Sequence, residues 1–291
     1  MTNRRIKNTM LAIEYIEAHL TEPIDLDSIA DAVHYSKHYL HRTFTSTVGL
    51  TLHDYVQRRK LTEAAKLLVF SGKPILEIAM LAGYESQQAF TSVFTAMYKQ
   101  PPSRFRENEE FYPLQSKFEF EGAYAMLNQD EPTQWGIRYA TQDDIPGWMA
   151  LVQDVIDGFP HLHEEEYQQV LSERIATKQA LVLKDNATVI GAMLFTKRTG
   201  NIDFLGIHPL YRNKGIPKAF LDRMMSELLD EQQITITTYR EGDKADTGQR
   251  KWIRELGFAE ADLLVEFGYP TQRFVLPKES IIEHGTTGEG K

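Results

Sequence analysis

The sequence predicts two domains of different fold class: an all-α domain with paired helix-turn-helix units, followed by an α/β domain with a mixed sheet. Its 291 residues suit two domains, each large enough to bury a core. A helical segment recurs within residues 26–94, and strands alternate with helices after Trp135. The predicted boundaries are 1–107 for the first domain, 108–134 for a linker, 135–277 for the second domain and 278–291 for a disordered tail.

Composition and charge narrow the classes of partner. The sequence contains no cysteine, so it can form neither a disulfide nor a thiolate metal site. No apolar run reaches membrane-spanning length. We therefore expect a cytoplasmic protein without a membrane partner. Residues 1–107 hold 13 Lys and Arg against 11 Asp and Glu, which gives +2. The totals of 32 and 41 then leave 19 against 30 in residues 108–291, which gives −11. Only the first domain is therefore a candidate for phosphate contacts.

The first domain contains a duplicated unit, preceded by a packing helix at residues 6–20 that Pro23 ends. The repeated positions are, in the first copy, Leu26, Ile29, Ala30, Val33, Tyr35, Ser36, Leu40 and Phe44, and in the second, Ile75, Ile78, Ala79, Ala82, Tyr84, Ser86, Phe90 and Phe94. The offset is 49 before Glu85 and 50 after it. Each copy reads as a short helix, a turn and a longer capped helix, which is the helix-turn-helix plan. Gly83 suits the positive φ of the turn, whereas His34 fills that place at some strain.

The longer helix of the second copy is predicted to begin after the N-cap Ser86 and to be amphipathic. Its apolar stripe comprises Ala89, Phe90, Val93, Phe94, Met97 and Tyr98, and its acid-free polar face comprises Gln87, Gln88, Thr91, Ser92 and Thr95. Glutamine can read adenine in the major groove, so this is either a recognition helix or an ordinary solvated face.

The equivalent face of the first copy is basic and carries Lys37, His38, His41, Arg42 and Thr45. Arg42 could contact guanine or phosphate and Lys37 phosphate, while the histidines could do either or face water. Two histidines alone seldom form a metal site, and we expect none. A long helix at residues 52–70 separates the copies; its Arg58, Arg59 and Lys60 either touch the DNA backbone or are simply solvated.

These residues resemble the DNA-binding domain of the AraC/XylS family. The shared pattern comprises Ser36, Tyr39, Leu40, Arg42, Phe44, Gly49, Tyr55, Arg58, Leu61, Ile78, Ala79, Gly83, Tyr84, Phe90, Phe94, Pro101, Pro102, Phe105 and Arg106. The run Glu85-Ser86-Gln87-Gln88 is similar to the MarA, SoxS and Rob group, which implies a monomer that places two recognition helices in successive major grooves of double-stranded DNA. RNA polymerase is then a candidate partner.

The resemblance assigns base contacts to both helices. They fall on His38, His41 and Arg42 of the first helix and on Gln87, Gln88, Ala89 and Ser92 of the second, with Lys37 on phosphate. His38, His41 and Ser92 depart from the group's usual residues, so we expect a different operator sequence.

The second domain is predicted to begin with a strand at 136–140 and a helix opening near Asp143 or Asp144. Further helices are predicted at 146–157, 164–177, 217–230 and 247–255, and strands at 180–183, 189–196, 202–207, 234–239 and 263–267. Between Ile207 and the helix at 217, the run Arg212-Asn213-Lys214-Gly215-Ile216-Pro217 suits an anion site, because turn amides and a helix N-terminus attract pyrophosphate. Arg212, Lys214 or Lys218 would add charge. The alternative is that Pro217 simply initiates the helix.

This second domain resembles the GNAT N-acetyltransferase family. The residues that carry the resemblance are Pro209, Tyr211, Arg212-x-x-Gly215-Ile216 and Leu256-Gly257-Phe258. The resemblance implies that acetyl-CoA, or another acyl-CoA, contacts Ile207, Arg212, Asn213, Lys214, Gly215 and Ile216, with Lys218 nearby. Two departures matter. Pro217 removes one amide donor, and Ile253 replaces the tyrosine that commonly protonates the departing thiolate.

Amine acetylation needs an acid for that thiolate and a base for the amine. Tyr239, Glu241, Asp243 or Asp246 could supply the acid and Asp203 the base. The run 159–166 could hold an acceptor or a metal, although three Glu at a helix N-terminus need no such role. Three hypotheses remain: a domain that senses acyl-CoA or a small-molecule effector, such as an amine; an active acetyltransferase with an amine acceptor; or a degenerate interaction module.

Overall fold

A computed structural model describes residues 2–118, 135–155, 164–212, 214–226, 233–266 and 268–276. These residues form two compact units, a helical one up to Phe118 and an α/β one from Trp135 onward. The two predicted fold classes are therefore confirmed. The predicted tail at 278–291 lies outside the described residues, as does most of the predicted linker. None of the described helices has the length and apolar character that crossing a membrane requires.

The helical unit contains two helix-turn-helix copies in the predicted positions. Its helices are α1 (Thr2–Ala18), α2 (Leu26–Ala32), α3 (Lys37–Val48), α4 (Leu52–Phe70), α5 (Ile75–Leu81), α6 (Gln87–Tyr98) and α7 (Pro102–Glu107). Ser36 Oγ accepts the Tyr39 amide at 3.4 Å and Ser86 Oγ accepts the Ala89 amide at 3.2 Å, so both longer helices have serine N-caps. In the turns, His34 has φ 57° and Gly83 has φ 83°, as the duplication predicts.

The core of this unit is aromatic along α6. Phe90, Phe94, Met97 and Tyr98 are buried, and the Phe94 ring stacks on Tyr98 with centroids 4.4 Å apart. Ala89, which the sequence placed on the apolar stripe, is exposed instead. Ala89 lies at the margin of the apolar stripe, so the exposed face of α6 is wider than predicted.

Arg58 and Arg59 are buried in α4, so the interpretation that they touch DNA or are solvated is wrong. Arg59 binds Glu17 of α1 through two hydrogen bonds of 2.7 Å, and its Nη1 donates to the Gln115 carbonyl at 3.0 Å. The Lys60 ammonium donates to the Glu22 carbonyl at 2.7 Å. A buried guanidinium needs such partners, because leaving its donors unmatched would be costly.

The chain beyond α7 packs back onto α4. Thr62 Oγ1 accepts the amides of Leu114 and Gln115 at 3.1 and 3.0 Å, and Arg58 donates to the Leu114 carbonyl at 3.4 Å. Phe118 is buried and its ring stacks on Tyr55 at 5.6 Å. The helical unit therefore extends to at least Phe118, beyond the predicted boundary at residue 107, and no strand forms in residues 108–118.

The α/β unit contains one seven-stranded sheet in the order β1-β2-β3-β4-β5-β7-β6. The strands are β1 (Arg138–Tyr139), β2 (Ala180–Asp185), β3 (Thr188–Thr196), β4 (Asn201–Ile207), β5 (Thr235–Tyr239), β6 (Ala259–Glu266) and β7 (Tyr269–Val275). The helices are α8 (Ile145–Val155), α9 (Glu164–Ala176), α10 (Ile216–Met225) and α11 (Gln249–Glu255), with short 3₁₀ turns at Gln142–Asp144 and Pro209–Tyr211.

The sequence-based expectation missed β7 and shortened β6. Strand β7 pairs with β5 on one side and β6 on the other, and its Thr271 and Gln272 are buried. The run Thr271-Gln272-Arg273 after Pro270 is polar and therefore does not show the apolar alternation of a strand, and its buried side chains need hydrogen-bond partners outside the strand. Arg250 of α11 donates to Gln272 Oε1 at 2.6 Å, and Thr271 Oγ1 donates to Glu266 at 3.1 Å.

Strands β4 and β5 form the parallel pair of this sheet, and their pairing is short. Their partners are Asn201 with Thr235 and Ile202 with Ile236, at the amino end of both strands. On the other side of β4 the register shifts, so that Ile202 and Phe204 pair with β3 while Asp203 is left as a bulge. Bulges increase local twist. The strands therefore part toward their carboxyl ends, where Ile207 leads into the predicted anion loop.

Candidate functional site

The polar face of α3 is exposed as predicted. Lys37, His38, His41 and Arg42 are all exposed, whereas Leu40, Thr43 and Phe44 are buried on the opposite side. Lys37 forms an ion pair with Asp27 of α2, which the sequence did not indicate. All four side chains can donate hydrogen bonds, so the face can contact both phosphates and base edges.

The polar face of α6 is neutral. Gln87, Gln88, Ala89 and Ser92 are exposed, and Thr91 is half-buried. The amides of Gln87 and Gln88 lie at the start of the helix, the position from which recognition helices contact base edges. All eight residues predicted to contact DNA are thus on the surface of the two longer helices, four on each.

The second candidate site is the loop that joins β4 to α10. Ile207 is buried, Arg212 and Lys214 are half-buried, and Gly215 is exposed with φ 66°. A Cβ built on Gly215 meets no atom within 4 Å, so the space beside this residue is open. Lys218 forms an ion pair with Asp222 at 3.0 Å. Asn213 lies outside the described residues.

The amino end of α10 can accept an anion. Its N-cap is Gly215, and no side chain of the described residues caps it. The amides of Ile216 and Lys218 lie in the first turn, where an α-helix offers no internal acceptor. Pro217 contributes no amide, so the site has one donor fewer than a helix start without proline. The remaining amides, the helix dipole and the nearby Arg212 and Lys214 fit a phosphate group.

Three buried residues support this loop, and the sequence pattern singled out only Tyr211 among them. Tyr211 donates to Asp185 at the end of β2, and His208 accepts the Leu210 amide on Nδ1 at 3.3 Å. Burial, reinforced by the nearby Arg212 charge, lowers the pKa of His208 to about 4. His208 is therefore neutral at physiological pH, which its role as acceptor requires. No local spacing marks Asp185, since its partner is 26 residues away.

The candidate catalytic residues do not converge on this loop. Asp203 is four residues before Ile207, roughly 13 Å along an extended strand. Its carboxylate already accepts hydrogen bonds from Thr196 at 2.8 Å and Asn201 at 2.6 Å and pairs with Arg174 at 3.4 Å. Asp203 therefore holds the β4 bulge in place.

Tyr239 and Glu241 lie at the carboxyl end of β5 and just beyond it. Tyr239 is half-buried with its ring 5.7 Å from that of Tyr269, and Glu241 is exposed. Ile253 is 1% exposed in the core, so its position offers no proton donor. Asp243 accepts from Tyr269 at 3.1 Å, and Asp246 accepts the amides at the start of α11. Among the described residues no cluster of His, Asp or Glu has metal-binding geometry. Of the run 159–166, residues 159–163 lie outside the described residues.

Comparison with known proteins matches each unit separately. The model of a helix-turn-helix domain matches residues 29–108, and that of the acetyltransferase (GNAT) family matches residues 148–258. The regulatory protein SoxS of Salmonella typhimurium is 39% identical over 106 residues, which cover 36% of this chain and 97% of SoxS.

Other relatives match over a smaller share of their own length. The HTH-type transcriptional regulator YbfP of Bacillus subtilis is 37% identical over 100 residues, and the right origin-binding protein of Escherichia coli is 35% identical over 132. The matches cover 34% and 45% of this chain, but it spans only 34% and 43% of the two relatives.

Two solved structures resemble one unit each. A regulator from Chromobacterium violaceum with an AraC-type DNA-binding domain covers 35% of this chain and 92% of its own, with a TM-score of 0.34 and 27% identity. A GNAT-family acetyltransferase from Bacillus cereus covers 48% and 94%, with a TM-score of 0.39 and 15% identity.

The fold and the family matches define a helix-turn-helix transcriptional regulator joined to an acetyltransferase-type domain. Because the chain covers nearly all of SoxS at 39% identity, it belongs to the AraC-type family of DNA-binding transcriptional regulators. Its second domain is of the GNAT type.

Proposed function

We propose that this regulator binds double-stranded DNA as a monomer through α3 and α6, and that its GNAT domain binds acyl-CoA as a signal that alters DNA binding. The observation that carries the first part is the repeat itself: two serine-capped helices expose polar residues at three matching positions, Lys37 with Gln87, His38 with Gln88 and Arg42 with Ser92. Arg42 is suited to guanine, and Gln87 and Gln88 to adenine. Lys37 supplies a phosphate contact.

The acyl-CoA part is supported by the loop after β4. The space beside Gly215 is open, and no described side chain caps the start of α10, which suits a pyrophosphate. Strands β4 and β5 pair only at their amino ends, which leaves room for an extended arm. In this proposal Arg212, Lys214 and the amides of Gly215 and Ile216 hold the pyrophosphate, and the backbone of β4 near Ile207, beyond the last pair with β5 at Ile202, binds the arm. The bound group would supply an activated acyl thioester.

Sensing is favoured over catalysis because the position of the usual thiolate acid is occupied by the buried Ile253. Tyr239, the nearest alternative on β5, is half-buried against Tyr269. A domain that binds acyl-CoA without turning it over can still change DNA affinity, provided that the two DNA-binding states of the protein bind acyl-CoA with different affinities.

Two measurements on the full chain test the proposal. Selection of duplexes from a random pool should yield a defined sequence spanning two successive major grooves; recovery of random sequence alone would refute the DNA part. Calorimetric titration with acetyl-CoA should show binding, and its absence would refute the acyl-CoA part. The affinity for the selected duplex should then change when acetyl-CoA is added, and by linkage the affinity for acetyl-CoA should change by the same factor when DNA is added.

Measuring the release of free thiol from acetyl-CoA distinguishes the acetyltransferase alternative from the sensing proposal. With acetyl-CoA and a panel of amines, we expect no release above the uncatalysed rate. Release that depends on one amine would establish an enzyme and identify its acceptor. RNA polymerase and a small-molecule effector remain proposed partners, for which pull-down with the purified polymerase holoenzyme and thermal-shift screening are direct tests.

A further inference from the structure

We infer that Asp27 sets the strength of DNA binding by holding Lys37, the first residue of the α3 recognition helix, in an ion pair that DNA phosphate must displace. The inference rests on the proposed reading of DNA by α3. It adds a residue from the supporting helix α2 to the determinants of affinity.

The contact joins the first turns of two helices. Asp27 lies in the first turn of α2, and Lys37 opens α3 directly after the N-cap Ser36. The two side chains form an ion pair while remaining 51% and 57% exposed, respectively. The pKa of Asp25, the N-cap of α2, is lowered mainly by hydrogen bonds from Ser28, and the Lys37 charge contributes to the lowering, so the ammonium also acts on a second acid at this end of α2. Exposed pairs of this kind are weak and therefore exchangeable.

The second copy of the motif shows that this pair is not needed to build it. The residues equivalent to Asp27 and Lys37 are Leu76 and Gln87, at offsets of 49 and 50. Leu76 is 48% exposed, so the same position on α5 faces solvent as well. Both copies nevertheless form the same two helices, turn and serine cap. The ion pair is therefore a feature of the first reading face and not of the fold.

Asp27 opposes phosphate contact in two ways. It occupies the Lys37 ammonium, which a phosphate must take over, and its own negative charge lies within about one Debye length of any phosphate that Lys37 contacts. Neither effect depends on base sequence, because phosphates carry no sequence information. Asp27 should therefore lower affinity for all duplexes by the same factor and leave sequence preference unchanged.

The test is Asp27→Asn in the full chain, with a duplex selected by the wild-type protein and a random duplex of equal length. The N-cap of α2 is Asp25, so this variant keeps the cap. We expect about two- to fivefold tighter binding to both duplexes at low salt, the range that exposed ion pairs contribute. The slope of log affinity against log salt should steepen by a fraction of the roughly one unit that a whole phosphate contact contributes, because Lys37 contacts phosphate in both proteins but the Asp27 charge no longer offsets it.

Two comparisons make the result specific. Asp31→Asn removes an exposed carboxylate from the same helix that has no ion pair among the described residues, so it should have a clearly smaller effect. In a Lys37→Gln background, which installs the second copy's residue, the gain from Asp27→Asn should shrink by at least half.

Each outcome decides the matter. Equal gains in affinity for Asp27→Asn and Asp31→Asn would show that only net charge matters and would overturn the inference. Unchanged affinity and salt slope in Asp27→Asn would also overturn it. So would a gain from Asp27→Asn that is undiminished in the Lys37→Gln background. A gain confined to the selected duplex would overturn the claim that Asp27 acts on phosphate contact. If wild-type protein selects no duplex, the proposed DNA function itself fails, and this inference with it; specific wild-type binding that Asp27→Asn leaves unchanged removes the inference alone.

Discussion

Tyr211 donates a hydrogen bond of 2.5 Å to Asp185 Oδ2, and both side chains are buried. Tyr211 lies in the loop before α10, whereas Asp185 ends β2, so this bond fastens the candidate acyl-CoA loop to the sheet. Hydrogen bonds to charged groups stabilise proteins by roughly 1.5 to 3 kcal/mol, and burial makes their loss more costly than at the surface.

Tyr211→Phe should therefore lower the free energy of unfolding of the GNAT domain by about 2 kcal/mol, measured by urea denaturation, and weaken acetyl-CoA binding because the loop is less ordered. The matched control is Tyr269→Phe, whose hydroxyl donates to the half-buried Asp243 at 3.1 Å and lies outside the loop. Equal loss of acetyl-CoA binding in both variants would contradict a specific role for Tyr211.

Gly215→Glu should abolish acetyl-CoA binding in calorimetry, because it introduces a negative charge and a side chain where the pyrophosphate is proposed to lie. Gly268→Glu is the control, since Gly268 also has a positive φ, 76°, and open space beside it, but lies in the β6–β7 turn. Backbone strain and added charge are thus matched. If both variants lose binding equally, the loss reflects strain and not the site.

Arg42→Ala and Gln88→Ala should each weaken binding to the selected duplex by about 1 to 3 kcal/mol while changing binding to random duplex little. Each substitution removes a base-reading group from an exposed face. Lys66→Ala, an exposed change on α4, serves as the control and should have little effect on either duplex. Equal losses on both duplexes would show that these residues contact only the backbone of DNA.

Arg59→Gln should destabilise the helical unit by about 3 kcal/mol, the lower end for a broken buried ion pair, because it leaves the 16% exposed Glu17 with the Tyr55 hydroxyl but without its guanidinium partner. Thermal unfolding followed by circular dichroism measures the change. The double variant Glu17→Gln/Arg59→Gln should recover part of the stability. If Arg59→Gln weakens DNA binding at a temperature where the unit is fully folded, Arg59 contributes to DNA binding and its role is not purely structural.

His208 should make the GNAT domain less stable as pH falls from about 6.5 to about 4. Between its ordinary pKa and the lowered folded value, the unfolded chain binds a proton that the folded domain does not, so acid favours unfolding. The full effect is about 3 kcal/mol below pH 4, from a pKa difference of about 2.5. His208→Gln, which can still accept the Leu210 amide, should flatten this dependence in urea unfolding; parallel curves would contradict the assignment.

Local sequence predicted both longer helices of the repeat, because serine caps, apolar spacing and the positive-φ turn residues all act within a few positions. It also predicted that seven of the eight DNA-reading candidates are exposed, since they lie opposite a buried stripe. The eighth, Ala89, was placed on the stripe itself but is exposed. Local sequence also predicted that the loop at Gly215 joins the end of a strand to the start of a helix, because these two elements are adjacent in sequence.

Features that depend on distant partners were not predictable in this way. Arg59 was read as part of a solvated charge run, but its burial depends on pairing with Glu17, 42 residues earlier. Strand β7 was missed because its buried Gln272 accepts a hydrogen bond from Arg250 of helix α11, 22 residues earlier. Asp185 is unremarkable until the fold brings Tyr211 to it. In each case a charge or polar side chain is buried only because its complement arrives from elsewhere.

The packing of residues 114–118 against α4 determines where the helical unit can be separated from the rest of the chain. A fragment ending at Glu107 would keep every helix of the two repeats but would deprive Arg58 and Arg59 of the Leu114 and Gln115 carbonyls and uncover the Tyr55 ring. A fragment ending at Phe118 would retain them. The separable module is thus defined by the hydrogen-bonding needs of two arginines in its central helix, and it is larger than the repeat that reads the DNA.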